Sequence, residues 1–379
     1  MTLNDAVKQY ALSKGFDIVG FTGAEDFTED ELAALKRVRD GHMDGYSWYT
    51  EARIRKMNRP KELLEGARSV ISLATSYLGD DPDSTNGMKG RIARYSWGDD
   101  YHNVLKGRLK EFCDGLPAIV GRSVRHRIFV DDGPMNDRAA ARRSGVGWVG
   151  KNTNILTPSH GSWVLLGQVI TDLELEPDNP LKKTCGSCVR CIDDCPTGAI
   201  VAPYVVDNAR CISYLTIELR GNVPRNLRPL MGDWIFGCDI CQDVCPVNIK
   251  AVSGDTAEFQ KRTGFSTPDL VPILEMDQET FSKKYRNSPI KRAKLSGLQR
   301  NACIALGNNG DPRAIQPLTN VLLESEPLVR SHAAWALGQI GGPEAVGALR
   351  MALDSETESY VTQEIEDALS DALGEKFGR

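Results

Sequence analysis

Four apolar runs mark the first half of the chain, Phe16–Thr22, Ser69–Leu78, Ser123–Val130 and Trp163–Asp172. Between them the apolar residues recur at three- and four-residue spacing. Short runs rich in β-branched and aromatic residues read as strands, and the longer spacing reads as helix, here including Glu29–Arg39 and Asn136–Ser144. The alternation predicts an α/β domain over residues 1–175, a mixed sheet covered by helices. From 176 to 250 long periodic segments give out. A polar connector follows over 251–290, with helical pieces near Gly254–Thr263 and Asp277–Lys284.

Residues 291–379 contain an internal repeat. Ala302–Leu318 aligns with Ala333–Leu349 at a shift of 31, matching Ala302/Ala333, Ala305/Ala336, Leu306/Leu337, Gly307/Gly338, Gly310/Gly341, Pro312/Pro343, Ala314/Ala345 and Leu318/Leu349. Each unit reads as a helix, a Gly-rich turn, a Pro opening a second helix, and an apolar stripe. That is the pattern of a HEAT-like helical pair, whose stacks present surfaces to partners. Val361–Leu373 reads as an acidic cap.

Length and charge refine this division. A chain of 379 residues calls for two or three domains, and no run approaches the 18 or so apolar residues of a membrane span. Met1–Gly15 mixes both charge signs at helical spacing, unlike a signal or transit peptide, so a soluble cytoplasmic protein is expected. The net charge of −5 averages over an uneven distribution. Lys283, Lys284, Arg286, Lys291, Arg292, Lys294 and Arg300 fall in a stretch without an acid, leading into the first repeat unit.

Eight cysteines carry the clearest chemistry. Cys185, Cys188, Cys191 and Cys195 with Pro196 spell C-x2-C-x2-C-x3-C-P; Cys211 stands alone; Cys238, Cys241 and Cys245 with Pro246 spell C-x2-C-x3-C-P. In the bacterial ferredoxin pattern the first three thiolates hold one 4Fe-4S cluster and the fourth crosses to another. Mirroring the runs puts Cys185, Cys188, Cys191 and Cys245 on one cluster and Cys195, Cys211, Cys238 and Cys241 on the other. Zinc also takes C-x2-C pairs, but it does not explain the third cysteine at the same spacing or the Cys-Pro ending of both runs. Cys113 and Cys303 read as small buried hydrophobes.

Other segments carry weaker signals. Asp40-Gly41-His42-Met43-Asp44-Gly45 fits D-x-H-x-x-G, a cobalamin pattern with histidine on cobalt, but it follows a helix instead of opening a doubly wound domain, so His42 reads as a surface or capping residue. In Phe129-Val130-Asp131-Asp132-Gly133-Pro134 a strand delivers two carboxylates to a turn before a helix. Either a positioned acid or a helix cap fits. Gly145, Gly147 and Gly150 surround Trp148 just ahead of Lys151 and Asn152, a density that permits backbone to approach a large ligand.

Taken together, Arg94-Tyr95-Ser96-Trp97-Gly98-Asp99-Asp100-Tyr101-His102, Phe129-Val130-Asp131, Gly147-Trp148-Val149-Gly150-Lys151-Asn152, Gly161-Ser162-Trp163, the double cysteine run and the terminal repeat resemble the epoxyqueuosine reductase family. The resemblance implies an α/β (α+β) cobalamin-binding domain of nitroreductase-like type over 1–175. A two-cluster ferredoxin-like domain over 176–250, a helical connector over 251–290 and a HEAT-like repeat domain over 291–379 would follow. It also implies cobalamin held without a histidine ligand and fed by two 4Fe-4S clusters, and removal of the epoxide oxygen at the wobble nucleoside of tRNA. Asp131 falls on the family's V-D-x-G aspartate and Tyr101 on the tyrosine of R-Y-x-x-G-x-D-Y-H.

Within that resemblance, Asp131 is the expected proton donor, and Arg142, Lys151, Asn152 and Ser162 are expected to meet the corrin amides. The basic stretch from Lys283 to Arg300 would hold tRNA phosphates, with Arg53, Arg55, Lys56 and Arg59 as a second patch. An external low-potential donor of flavodoxin or ferredoxin type would supply electrons to what is expected to be a monomer. A cobalamin-dependent dehalogenase relative, or a tRNA-binding or electron-transfer scaffold without catalysis, are the competing functions.

Overall fold

The computed structural model of the chain describes residues 1–79, 82–84 and 86–374. Its contacts group into two units that do not follow the consecutive division of the sequence. The first comprises Met1–Asp80, Gly98–Ala209 and Asp239–Gln260, the second Asp81–Trp97, Arg210–Cys238 and Lys261–Arg379. The cysteine region is shared between them.

In the first unit, α1 (Leu3–Ser13) opens with a reciprocal cap, the Thr2 hydroxyl accepting from the Asp5 amide and the Asp5 carboxylate from the Thr2 amide. Then come β1 (Ile18–Gly23), α2 (Thr28–Arg39), β2 (Ser69–Ser76), α3 (Tyr101–Val120), β3 (His126–Phe129), α4 (Asp137–Arg143) and β4 (Val164–Thr171). The four predicted apolar runs are the four strands. They pair in the order β1-β2-β4-β3, and every ladder is antiparallel, for example Ile18 opposite Ala74 and Ser72 opposite Gln168. The expected mixed sheet is therefore corrected to an antiparallel one. An apolar run reveals a strand but not its direction, which depends on how each connection brings the chain back.

Central β2 is buried at all eight positions, because helices cover both of its faces. Val70 and Ile170 pack on Ala139 and Ala140 of α4, while α3 crosses over Gly167, where an added Cβ would lie 3.0 Å from Leu109. This sandwich fixes the end of β3 and the start of α4, and so the loop between them.

The second unit contains five consecutive helices, α5 (Lys294–Asn309), α6 (Ile315–Glu324), α7 (Pro327–Ile340), α8 (Gly342–Leu353) and α9 (Ser359–Leu373). The matched glycines Gly307 and Gly338 lie inside α5 and α7, not in turns. A Cβ on Gly307 would meet Trp335 at 2.7 Å, and one on Gly338 would meet Ala368 at 2.8 Å. The repeat conserves close helix contact between its own units, with α5 against α7 and α7 against α9. Among the described residues no helix is long and apolar enough to cross a membrane.

Candidate active site and metal centre

Cys185, Cys188, Cys191 and Cys245 line one pocket in the first unit, with Lys151, Asn152, Leu156, Arg190 and Pro246. Each cysteine run folds as a tight turn into a single helical turn, Arg190–Asp193 and Ile240–Asp243, before its Cys-Pro corner. Burial, together with the neighbouring thiols of Cys185, Cys245 and Cys188, pushes the Cys191 thiol up to about 11. All ten cysteines are free of disulfides. No three His, Cys, Asp or Glu groups among the described residues sit close enough to hold a lone metal ion. Four thiols lining one pocket are the donor set that a 4Fe-4S cluster takes. Of the other four, Cys195 and Cys241 belong to the first unit, Cys211 and Cys238 to the second.

Of the four polar residues expected on a corrin, Lys151, Asn152 and Ser162 bond to the cysteine loops and Arg142 to Asp30. The Lys151 ammonium donates to the carbonyls of Gly186 (2.8 Å) and Cys188 (2.9 Å), and its amide points at Cys185 Sγ (3.4 Å). Asn152 is buried and donates to the Cys241 carbonyl at 3.1 Å. The Ser162 hydroxyl accepts from Gln242 in the second run (2.9 Å) and from Asn248 just after it (2.8 Å). Arg142 pairs with Asp30 at 2.8 Å. The glycines have a packing reason: a Cβ on Gly147 would meet Ile155 at 2.5 Å and the Leu156 carbonyl at 2.6 Å, so the chain itself makes a close approach there.

At the end of β3 the chain passes through buried Val130 into Asp131, whose φ of +51° lies in the left-handed region that few non-glycine residues adopt. This turn leaves Asp131 exposed, and the buried Tyr101 at the start of α3 donates its phenol proton to Asp131 Oδ2 at 2.6 Å. Tyr101 is held by the cap beneath it, where the Asp100 carboxylate accepts from the His102 amide (3.0 Å) and lies 2.7 Å from His102 Nδ1. His102 in turn stacks on the Tyr101 ring at 4.1 Å.

The two adjacent carboxylates are not equivalent. Burial pushes Asp132 up, but its ion pair with Lys106 and its bond from the Val130 amide outweigh that and hold it below the usual carboxylate range. Neither aspartate caps α4; Asn136 does, accepting from the Ala139 amide at 3.2 Å. Asp137, the first residue of α4, is pushed well above the carboxylate range by burial and by the charges of Asp131 and Asp132, and its Oδ1 has no hydrogen-bond partner. Sequence reading missed Lys106, Asn136 and Asp137. Only Asn136 carried a local signal, standing three residues before a run of alanines.

Six of the seven basic residues in the 283–300 stretch are exposed. Arg300 is the exception and, contrary to expectation, is not placed to meet a phosphate. It is fully buried and donates to the carbonyls of Leu215 (2.6 Å), Leu219 (2.8 Å) and Gly221 (2.8 Å). Sequence counts a charge but does not show which helix face carries it. Arg292 pairs with Glu218. In the second patch, Arg55 pairs with Glu51 (3.1 Å) and Arg59 with Glu31 and Glu62 (both 3.3 Å). His42 uses its backbone, accepting from the Asn208 amide and donating to the Arg37 carbonyl, both at 2.9 Å.

Family comparisons agree with this arrangement. Residues 184–248 match a 4Fe-4S double cluster binding domain, residues 294–370 match HEAT repeats, and residues 58–132, which span Tyr101 and Asp131, match the epoxyqueuosine reductase QueG family. A double-cluster run joined to an α+β unit with an exposed acid defines an iron–sulfur oxidoreductase. The epoxyqueuosine reductase of Escherichia coli is 38% identical over 344 residues, 89% of each chain. A solved epoxyqueuosine reductase in complex with an epoxyqueuosine-modified tRNA-Tyr stem loop shares 34% identity and a TM-score of 0.92, covering 98% of this chain and 99% of that one. The Bacillus subtilis epoxyqueuosine reductase, solved with its aspartate-bearing catalytic loop swung out of the active site, shares 34% identity and a TM-score of 0.91, covering 97% and 98%. The chain belongs to the epoxyqueuosine reductase family.

Proposed function

We propose that this chain reduces epoxyqueuosine to queuosine at the wobble position of a tRNA anticodon, with Asp131 as the proton donor to the departing oxygen. Converting the epoxide to an alkene takes two electrons and two protons, and the oxygen leaves as water. Side chains can deliver the protons but not the electrons. The electrons would come from an external low-potential donor of flavodoxin or ferredoxin type, and two 4Fe-4S clusters held by the cysteine runs would carry them. One is held by Cys185, Cys188, Cys191 and Cys245, the other by Cys195, Cys211, Cys238 and Cys241.

The observation that carries this reading is the Tyr101–Asp131 contact. An exposed carboxylate on a left-handed corner, held by a buried phenol, is an acid presented to a ligand and fixed in one orientation. Asp132, paired with Lys106, stays ionised and supplies no proton. Cobalamin, if bound in the first unit, would supply a low-potential cobalt for the two-electron chemistry. Of the four polar residues expected to meet its amides, Lys151, Asn152 and Ser162 also bond to the cysteine loops and Arg142 to Asp30, so any contact they made with it would be braced by the protein. Lys283, Lys284, Arg286, Lys291, Arg292 and Lys294 hold tRNA phosphates beside the HEAT-like helices.

In a strain lacking this protein, mass spectrometry of tRNA nucleosides should show epoxyqueuosine accumulating and queuosine missing. Normal queuosine in that strain would overturn the assignment, unless a second reductase is shown to be present.

A further inference from the structure

An aromatic loop lies next to the Asp131 turn and has no part in the chemistry above. Between α2 and the short helix Glu51–Met57, Tyr46, Trp48 and Tyr49 pack on one another: the Tyr46 and Trp48 centroids are 5.1 Å apart, and Tyr49 meets the indole edge-on at 5.5 Å. Despite these neighbours Trp48 remains 43% exposed. An ordered indole facing solvent is a surface prepared for something flat and apolar.

The charges around it narrow the choice. The Arg53 guanidinium lies 4.9 Å from the centre of the indole ring, and its Nη2 donates to the Gly133 carbonyl at 3.4 Å, two residues past Asp131. Arg53 Nε is buried without a hydrogen-bond partner. Arg37 and Arg138 act on the neighbouring Tyr49 phenol, with Arg138 exposed beside Asp137 at the start of α4. Aromatic rings interleaved with arginines bind ligands that combine π-faces with phosphates, and single-stranded RNA is read largely by stacking of this kind. Arg53 at the indole and Arg37 and Arg138 at Tyr49 bring positive charge that complements an RNA backbone.

We propose that Trp48, backed by Arg53, is a stacking platform for an unpaired anticodon base next to the wobble nucleoside, tied through Gly133 to the loop that carries Asp131. The inference rests on the functional reading above. The platform would hold the neighbouring base while Asp131 faces the epoxide, which couples RNA recognition to the placement of the acid. Trp48 stands outside the proton-transfer and cluster-binding machinery.

The test uses the cluster- and cobalamin-loaded full chain with a fluorescent anticodon stem loop carrying epoxyqueuosine. Trp48→Ala should raise the Kd about 5- to 100-fold, the loss expected when one base stack is removed. Trp48→Phe, which keeps a ring, should recover most of it, and both variants should retain wild-type iron content and corrin absorption. If the wild type converts the stem loop and Trp48→Ala binds it as tightly, the platform is refuted and the functional reading stands. Loss of corrin absorption in Trp48→Ala would also refute it, by assigning the ring to the cofactor. If the wild type neither binds nor converts the stem loop, both fall.

Discussion

The phenol of Tyr101 donates a 2.6 Å hydrogen bond to Oδ2 of Asp131. The two residues come from different elements, Tyr101 from the first turn of α3 and Asp131 from the corner after β3, and both α3 and β3 pack against β4. Asp131→Asn keeps the side-chain shape but removes the acidic proton. It should lower turnover by roughly 10² to 10⁴, the usual worth of general acid catalysis, with iron, cobalamin and stem-loop binding retained. Asp132→Asn should cost less than tenfold, because Asp132 is a partly exposed partner of Lys106. Steady-state assay of the two variants decides, and a dead Asp132→Asn beside an active Asp131→Asn would reverse the assignment.

The crossing of the cysteine runs predicts a selective defect. Cys195→Ser should reduce iron from about eight to about four atoms per chain, leaving the cluster on Cys185, Cys188, Cys191 and Cys245. Iron analysis and EPR of the reduced protein measure this. Loss confined to that first cluster would contradict the assignment.

Lys151 bears on the potential of the same cluster. Its ammonium sits on the Gly186 and Cys188 carbonyls, and its amide points at Cys185 Sγ. Lys151→Met keeps the amide and removes the positive charge, so the oxidised, less negative cluster gains relative stability. The midpoint in an EPR-monitored redox titration should fall by some tens of millivolts, about 59 mV being tenfold for one electron. An unmoved midpoint at full iron content would leave Lys151 a packing role only.

Acid should weaken the second unit through His332. This residue is fully buried in α7, with Nε2 accepting from the Val223 amide (3.2 Å) and Nδ1 facing the Leu328 carbonyl (2.8 Å). Burial, then the charges of Arg228 and Arg300, push it well below its ordinary value. The unfolded chain takes up a proton near pH 6.5 that the folded chain refuses, so this contribution is present above about 6.5 and is lost as the pH falls below it. Thermal unfolding of wild type and His332→Gln between pH 7.5 and 5 should show a steeper loss in the wild type. Equal slopes would contradict the neutral buried imidazole.

Much of this was legible in the sequence, for physical reasons. The sheet strands stand out because a strand buried on both faces, such as Ser69–Ser76, must be almost continuously apolar or small. The shared pocket of Cys185, Cys188, Cys191 and Cys245 is readable because cluster ligation constrains spacing, and the place of Asp131 because an apolar strand leads into it. What escaped depends on distant partners. Nothing local says that Lys106 neutralises Asp132, that Lys151 and Ser162 brace cysteine loops, or that Arg300 is turned inward to carbonyls more than 75 residues away in sequence. The repeat was found from matching glycines, but their purpose, contact between helices, appears only when Gly307 is seen against Trp335.

The central claim is tested most directly by anaerobic incubation of the reduced, cluster- and cobalamin-loaded protein with an epoxyqueuosine-bearing anticodon stem loop, followed by mass spectrometry of the released nucleosides. Conversion to queuosine, with loss of one oxygen atom, is predicted for the wild type, and almost none for Asp131→Asn at equal cofactor content. Epoxyqueuosine left intact by the fully loaded, reduced wild type would contradict the account.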